Sequence, residues 1–185
     1  DWLIAADGGL RLTQALGRVP ALLVADFDSL AAEEPGRAGI PTQSLPVKKD
    51  DTDMLAAARI GLQRGFREFL LLGATGGRLD HTLANLAVLL FLAQHGARAR
   101  LADERNEAEL LLPGKYTIAR RPETHLSLLP YGGAVAGLTV RGAEYELTNA
   151  VLTPDMPLGV SNEFAAESAE ISFETGALLI FLSKG

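Results

Sequence analysis

Two lysines and three aspartates crowd one short stretch, Lys48-Lys49-Asp50-Asp51-Thr52-Asp53, directly before an apolar segment at 54–62 with helical character. Carboxylates suit the first turn of a helix, where the dipole is positive, and Thr52 or Asp53 can cap it. Capping accounts for one or two of the acids. Three acids beside two ammonium groups point further, to a divalent cation held by carboxylate oxygens and to phosphate drawn to Lys and to a helix N-terminus. Similar acids recur along the chain: Asp7 before Gly8-Gly9, and Asp26 and Asp28 in Asp26-Phe27-Asp28-Ser29. A glycine loop, Gly73-Ala74-Thr75-Gly76-Gly77, leads into Arg78-Leu79-Asp80-His81. Such a loop before a helix accommodates anions, and Arg78 adds a planar, bidentate phosphate donor. No Lys-Ser or Lys-Thr pair follows the glycines, so this is not a Walker loop. Singly, Asp7 is an ordinary turn residue, Asp28 or Ser29 a cap, and Asp80 a first-turn acid; it is their recurrence after strands that carries the argument.

The elements that must position these residues are legible from periodicity. Short buried strands are expected at 2–6, 21–25, 44–47 and 69–72, with helices at 10–16, 30–34, 54–62 and from Leu79 to about Gln94, where Gly96 ends the last. Leu79, Leu83, Leu86 and Leu90 are spaced to line its buried face. Two more strands are expected at 98–102 and 108–112. Apolar strands alternating with helices indicate a parallel sheet covered on both faces, with ligands at its C-terminal edge. Asp7, Asp26, Asp28, the 50–53 acids, Arg78 and Asp80 all follow strands, so they converge on that edge, where like charges need a cation between them.

Past Pro113-Gly114 the helical period disappears. Strand-like runs at 116–119, 126–129, 136–140, 145–147, 169–173 and 178–182 are separated by Gly and Pro turns, as in a β-sandwich or barrel. The expected fold class is therefore an α/β domain over 1–113 followed by an all-β domain over 114–185. Within the second, the loop 159–164 (Gly-Val-Ser-Asn-Glu-Phe) offers Ser161 and Asn162 to ring heteroatoms and Phe164 as a stacking face.

The totals exclude several classes. Of 185 residues, 48% are hydrophobic, ample for a core, and the net charge of −6 argues against a nucleic-acid surface. There is no cysteine, which rules out thiolate metal sites and disulfides and fits a reducing, cytoplasmic setting. The longest apolar run, 86–93, is far short of the ~20 residues a membrane span needs. His81, His95 and His125 are dispersed, unlike zinc ligands, and Arg120-Arg121 reads as a solvated strand end. The chain opens on Asp1 rather than Met and runs straight into a strand, so further N-terminal residues are expected.

The strings Ala5-Ala6-Asp7-Gly8-Gly9, Asp26-Phe27-Asp28-Ser29, Asp50-Asp51-Thr52-Asp53, Gly76-Gly77-Arg78-Leu79-Asp80-His81-Thr82-Leu83-Ala84-Asn85 and Ser161-Asn162-Glu163 resemble, in order, the motifs of the thiamine pyrophosphokinase family. The resemblance implies an ATP-binding α/β domain, a C-terminal β-sandwich, and a homodimer whose thiamine sites are shared between subunits. It further implies Mg2+-dependent transfer of the pyrophosphoryl group of ATP to the thiamine hydroxyl, releasing AMP. On that basis Asp26, Asp28 and Asp53, with Asp7, are expected to hold Mg2+. Lys49, Asp50, Thr52 and Arg78 are expected on the ATP side, and Ser161, Asn162 and Phe164 of the partner on thiamine. Asp80 is expected either to contact thiamine or to accept its hydroxyl proton. The family usually has Gly where Ala25 stands and a strand and turn before the Asp7 motif. Rival readings are a pyrophosphokinase acting on another alcohol, such as a pterin, and a non-catalytic thiamine or nucleotide sensor.

Overall fold

The computed structural model of the chain describes residues 1–26, 39–45 and 51–185. The helix expected at 30–34 and the candidates Asp28, Lys49 and Asp50 lie outside the described residues. Strands β1 (Ile4–Ala6), β2 (Leu22–Asp26) and β3 (Thr42–Leu45) form a parallel sheet in that order. Side chains of β2 alternate between two cores. Leu23 and Ala25 join Ala5 and Leu10, the latter from α1 (Gly9–Ala15), while Leu22 and Val24 join Ala56, Ala57 and Ile60 of α2 (Asp53–Gln63). A strand buried on both faces needs apolar residues at every position, as β2 has until Asp26.

The parallel sheet does not extend further as expected. β4 (Glu68–Leu72), α3 (Leu79–Gln94) and β5 (Arg98–Ala102) make a parallel strand–helix–strand unit, but β4 and β5 belong to a separate five-stranded sheet, ordered β4-β5-β6-β12-β8. β6 (Asn106–Leu111) runs antiparallel to β5. Only residues 103–105 separate the two strands. That length makes a hairpin, whereas a parallel crossover needs about a dozen residues. β12 (Leu178–Lys184) then pairs antiparallel with both β6 and β8 (Thr124–Pro130). Strands from either side of Pro113 thus share one sheet.

The remaining sheet is antiparallel, ordered β10-β9-β11-β7, from β7 (Gly114–Ala119), β9 (Val135–Arg141), β10 (Leu147–Leu152) and β11 (Ser168–Phe173). It packs on one face of the five-stranded sheet: Leu138, Val140, Ile171 and Phe173 share a core with Leu126, Leu128, Leu178 and Ile180. On the opposite face Leu71, Leu101 and Leu110 pack with Val88, Leu89 and Leu92 of α3. β12, buried on both sides, is accordingly apolar without a break from Leu178 to Leu182.

Two expectations are corrected here. α3 has the expected bounds, and Leu86 and Leu90 of the expected row pack against the core, but the first half of the row does not. Leu79 and Leu83 are 74% and 55% exposed, while Val88, Leu89 and Leu92 are buried. The second half of this helix is apolar all round, so leucine spacing alone does not select a face. The strand expected at 145–147 is instead β10, further on; it is a largely exposed edge with register shifts against β9, and its alternation is correspondingly faint.

Candidate active site

Asp7 sits just past β1 with φ 44°, in the left-handed region that Asp enters more readily than bulkier residues. Its N–H donates to the Val24 carbonyl at 2.8 Å, and its own carbonyl accepts from Leu10 N at 3.2 Å. The β1–β2 ladder thereby passes through Asp7 into the first turn of α1. Asp26 is the last residue of β2, in register with Leu45 of β3. Because the strands are parallel, Asp7 and Asp26 leave neighbouring strands at the same edge. α2 packs on β1 and β2. Its N-cap is Thr52, whose Oγ1 accepts from Leu55 N at 3.2 Å, and Asp53 occupies the first turn. Asp51 is committed elsewhere: its carboxylate pairs with Arg59 at 2.8 Å, and that guanidinium lies 4.7 Å over the Phe91 ring of α3. Among the described residues no three His, Asp or Glu side chains gather into a metal-binding group. The donor type still fits a hard cation, since strand-end carboxylates are the oxygen ligands Mg2+ takes.

The glycine loop lies between β4 and α3. Gly73, Gly76 and Gly77 have φ of 65°, 90° and 61°, and a Cβ at 76 or 77 would meet nothing, so the loop's outer side is open to a ligand. Its inner side is tied down. Ala74 is 3% exposed, its carbonyl accepting from Asn85 Nδ2 of α3 at 2.9 Å, and Thr75 Oγ1 donates to Asp103 Oδ2 at 2.7 Å. Arg78 and Asp80 form a forked pair, Nε to Oδ1 at 3.1 Å and Nη2 to Oδ2 at 2.5 Å, both side chains exposed. The hydrogen bond from Arg78, aided by His81 N, holds the Asp80 carboxyl below its ordinary range and raises the guanidinium. Asp80 is therefore an anion at neutral pH and a weak base. Arg78 keeps Nη1 outside the fork.

The loop 159–164 runs along β8. Leu126 and Asn162 exchange both backbone bonds at 2.8 and 2.9 Å, and Ser161, at φ 59°, donates its N–H to Ser127 Oγ. Asn162 is buried, and its amide is spent on the chain itself: Oδ1 accepts from Tyr145 N and Glu163 N, and Nδ2 donates to Tyr145 O. Phe164 is 8% exposed and belongs to the sandwich core. The side chains of this loop left facing solvent are Val160, Ser161 and Glu163, with Tyr145 beside them on the loop that Asn162 holds. Asn85, Asp103 and Tyr145 were not expected from sequence. Asp103 had a signal, the Asp-x-x-Asn spacing of a side-chain-stabilised turn, and Asn85 closes the motif string that begins at Gly76; Tyr145 had none. His95 caps α3, its Nδ1 2.7 Å from Phe91 O.

The chain thus brings Asp7 and Asp26 to one sheet edge, adds Asp53 through α2, and places Arg78 and Asp80 at the start of α3, which packs on α2. Solved pyrophosphokinases share this fold. The crystal structure of thiamine pyrophosphokinase from Bacillus subtilis matches with a TM-score of 0.90 at 28% identity, covering 98% of this chain and 86% of that one. That of a thiamin pyrophosphokinase family protein from Enterococcus faecalis gives 0.86 at 34%, covering 100% and 89%. In sequence, the Bacillus subtilis thiamine pyrophosphokinase is 30% identical over 98% of this chain and 86% of its own length. Family models for the thiamin pyrophosphokinase catalytic domain and vitamin B1 binding domain match residues 1–101 and 115–178. The chain belongs to the thiamine pyrophosphokinase family.

Proposed function

We propose that the chain transfers the pyrophosphoryl group of ATP to the hydroxyl of thiamine, forming thiamine diphosphate and AMP, in sites each built from two subunits. The thiamine oxygen attacks the β-phosphorus as the AMP oxygen leaves, so catalysis rests on positioning and charge neutralisation. Asp26, Asp28 and Asp53, with Asp7, would hold Mg2+, which when bound offsets charge on the transferring phosphates. Arg78, Lys49 and the N-cap region at Asp50 and Thr52 hold phosphate oxygens. Asp80 fixes Arg78 through the forked pair and faces the cationic substrate. Its depressed pKa favours that role over proton acceptance.

One observation carries the shared-site reading. The glycine loop follows β4 and the 159–164 loop lies on β8, and these are the two outer strands of the five-stranded sheet. Four strand spacings put those edges roughly 19 Å apart, wider than one thiamine bridges. Exposed apolar side chains mark both sides: Leu79 and Leu83 beside Arg78, and Tyr145, Met156, Leu158 and Val160 near Ser161. Large apolar exposure of this kind marks contact surfaces. A two-fold dimer would set each phosphate loop against the partner's ring-binding loop.

AMP release from Mg-ATP with thiamine, and none with a pterin alcohol, is the expected assay result; the reverse preference would reject thiamine as substrate. For the shared site, inactive Asp28→Asn and Ser161→Tyr proteins are mixed under subunit exchange. Half the dimers are then mixed, each with one intact site, so roughly a quarter of normal activity returns. No recovery after demonstrated exchange would place each site within one chain. Arg78→Lys keeps the charge and loses the fork. The KM for ATP is expected to rise about tenfold, with the thiamine KM held; an unchanged ATP response would make Arg78 a surface residue.

A further inference from the structure

We infer that Asp103, in the β5–β6 turn, is a positioning residue that fixes the glycine loop for ATP through Thr75. The inference rests on the ATP reading of that loop. Asp103 belongs to another strand pair, 28 residues from Thr75, yet its carboxylate accepts the hydroxyl of that threonine. The carboxylate is itself locked. Oδ1 accepts from Arg105 N at 2.8 Å, Asn106 N at 2.7 Å and Asn106 Nδ2 at 3.1 Å, and Oδ2 from Asn106 Nδ2 at 3.1 Å as well as from Thr75. A group held by four bonds from its own turn has little freedom to follow the loop; the loop must follow it. β5 and β6 pair in register up to Ala102↔Glu107, so the turn is welded to the five-stranded sheet.

The loop needs such an anchor. Three of its five residues are glycines in left-handed backbone, and glycine carries the largest entropy of unfolding the local conformation. Asn85 holds the loop at Ala74 and Asp103 holds it at Thr75; Gly76, Gly77 and Arg78 follow directly. Fixing the two residues before them sets the direction of their N–H groups and of the Arg78 side chain. Desolvation alone would raise the Asp103 carboxyl, but the Thr75 bond and those from Arg105 and Asn106 outweigh it and bring it to about 2. The anchor is therefore charged, and the bond charge-assisted, throughout the range where the enzyme would work.

Thr75→Val removes the hydroxyl and keeps the shape, Thr75→Ser restores the hydroxyl, and Asp103→Ala removes the anchor. Each is compared with wild type by calorimetric titration with a non-hydrolysable ATP analogue and Mg2+, by steady-state kinetics and by thermal melting. Thr75→Val is expected to weaken nucleotide binding and raise the ATP KM about five- to tenfold, leaving the thiamine KM and the kcat at saturating ATP within about twofold. Thr75→Ser should return to near wild type. The double variant should be no worse than Asp103→Ala alone, as required when both act through one contact. Wild-type nucleotide affinity in Thr75→Val overturns the inference. So does a general fall in kcat and both KM values together with the melting temperature, because that describes a structural turn. If wild type itself fails to bind the nucleotide, the ATP reading fails and takes this one with it.

Discussion

Asp53→Asn is expected to lower the rate of AMP release about a hundredfold or more while barely touching the fold. The substitution keeps volume and removes one anionic oxygen donor. The helix it sits on is capped by the neighbouring Thr52, whose Oγ1 takes the Leu55 N–H. The first-turn charge lost against the helix dipole is worth about 0.3–1 kcal/mol, or a melting shift of about 1–4 °C for a chain of this size. A carboxylate that holds Mg2+ against the transferring phosphates contributes several kcal/mol to the transition state, and each 1.4 kcal/mol or so is tenfold in rate. The two roles therefore separate cleanly in one variant measured for turnover across a MgCl2 titration and for thermal stability. A partial rescue by excess Mg2+ would fit a weakened ion site. A normal rate with a small stability loss would return Asp53 to the status of a helix-start acid and leave Asp7, Asp26 and Asp28 to hold the ion.

The second large effect is on architecture. Gly159→Ala is expected to destabilise the protein by about 1–3 kcal/mol, the usual range for overfilling a packed position, seen as a melting temperature lower by about 2–12 °C. An added Cβ would stand 2.2 Å from the carbonyl oxygen of Leu128. Neither partner yields cheaply. Leu128 donates its N–H to the Gly159 carbonyl at 2.8 Å, is 1% exposed, and pairs with Ile180 of β12. The displacement must be taken up by the loop leading to Ser161, so the thiamine KM should rise while the ATP KM holds. An unshifted melting curve would mean the loop reseats without strain and would sink this account of its fixation.

Much of this was written in local sequence. The bounds of α3 and β5 are those their periodicity and Gly96 imply, and Asp7, Asp26 and Asp53 fall at element ends because acids after apolar strands have nowhere else to go. Sheet membership was not legible from strand patterns alone. The alternating pattern of β5 fits a parallel or an antiparallel neighbour equally, and the deciding fact was the short 103–105 link. Tertiary packing also commits two side chains of the 161–164 string to the chain itself. Composition offered Asn162 and Phe164 as ligands, but a buried amide must satisfy its donors and acceptors, and the Tyr145 backbone does so. Phe164 fills the sandwich core. Nothing in a six-residue string distinguishes a side chain that faces substrate from one that holds the loop that does.

The five-stranded sheet has a consequence for how the chain comes to be folded. Its fourth position, between β6 and the edge strand β8, is taken by β12, which comes latest of the five in the chain. As the polypeptide leaves the ribosome, β4, β5 and β6 can assemble early, but the free side of β6 keeps its backbone N–H and C=O groups unpaired until residues 178–184 arrive. For that interval the nascent chain presents an open β-edge beside apolar Ala108 and Leu110, the kind of surface that recruits strands from other chains. Completion of the five-stranded sheet thus waits on residues 178–184, and a stop codon just before them would release a sheet split between β6 and β8.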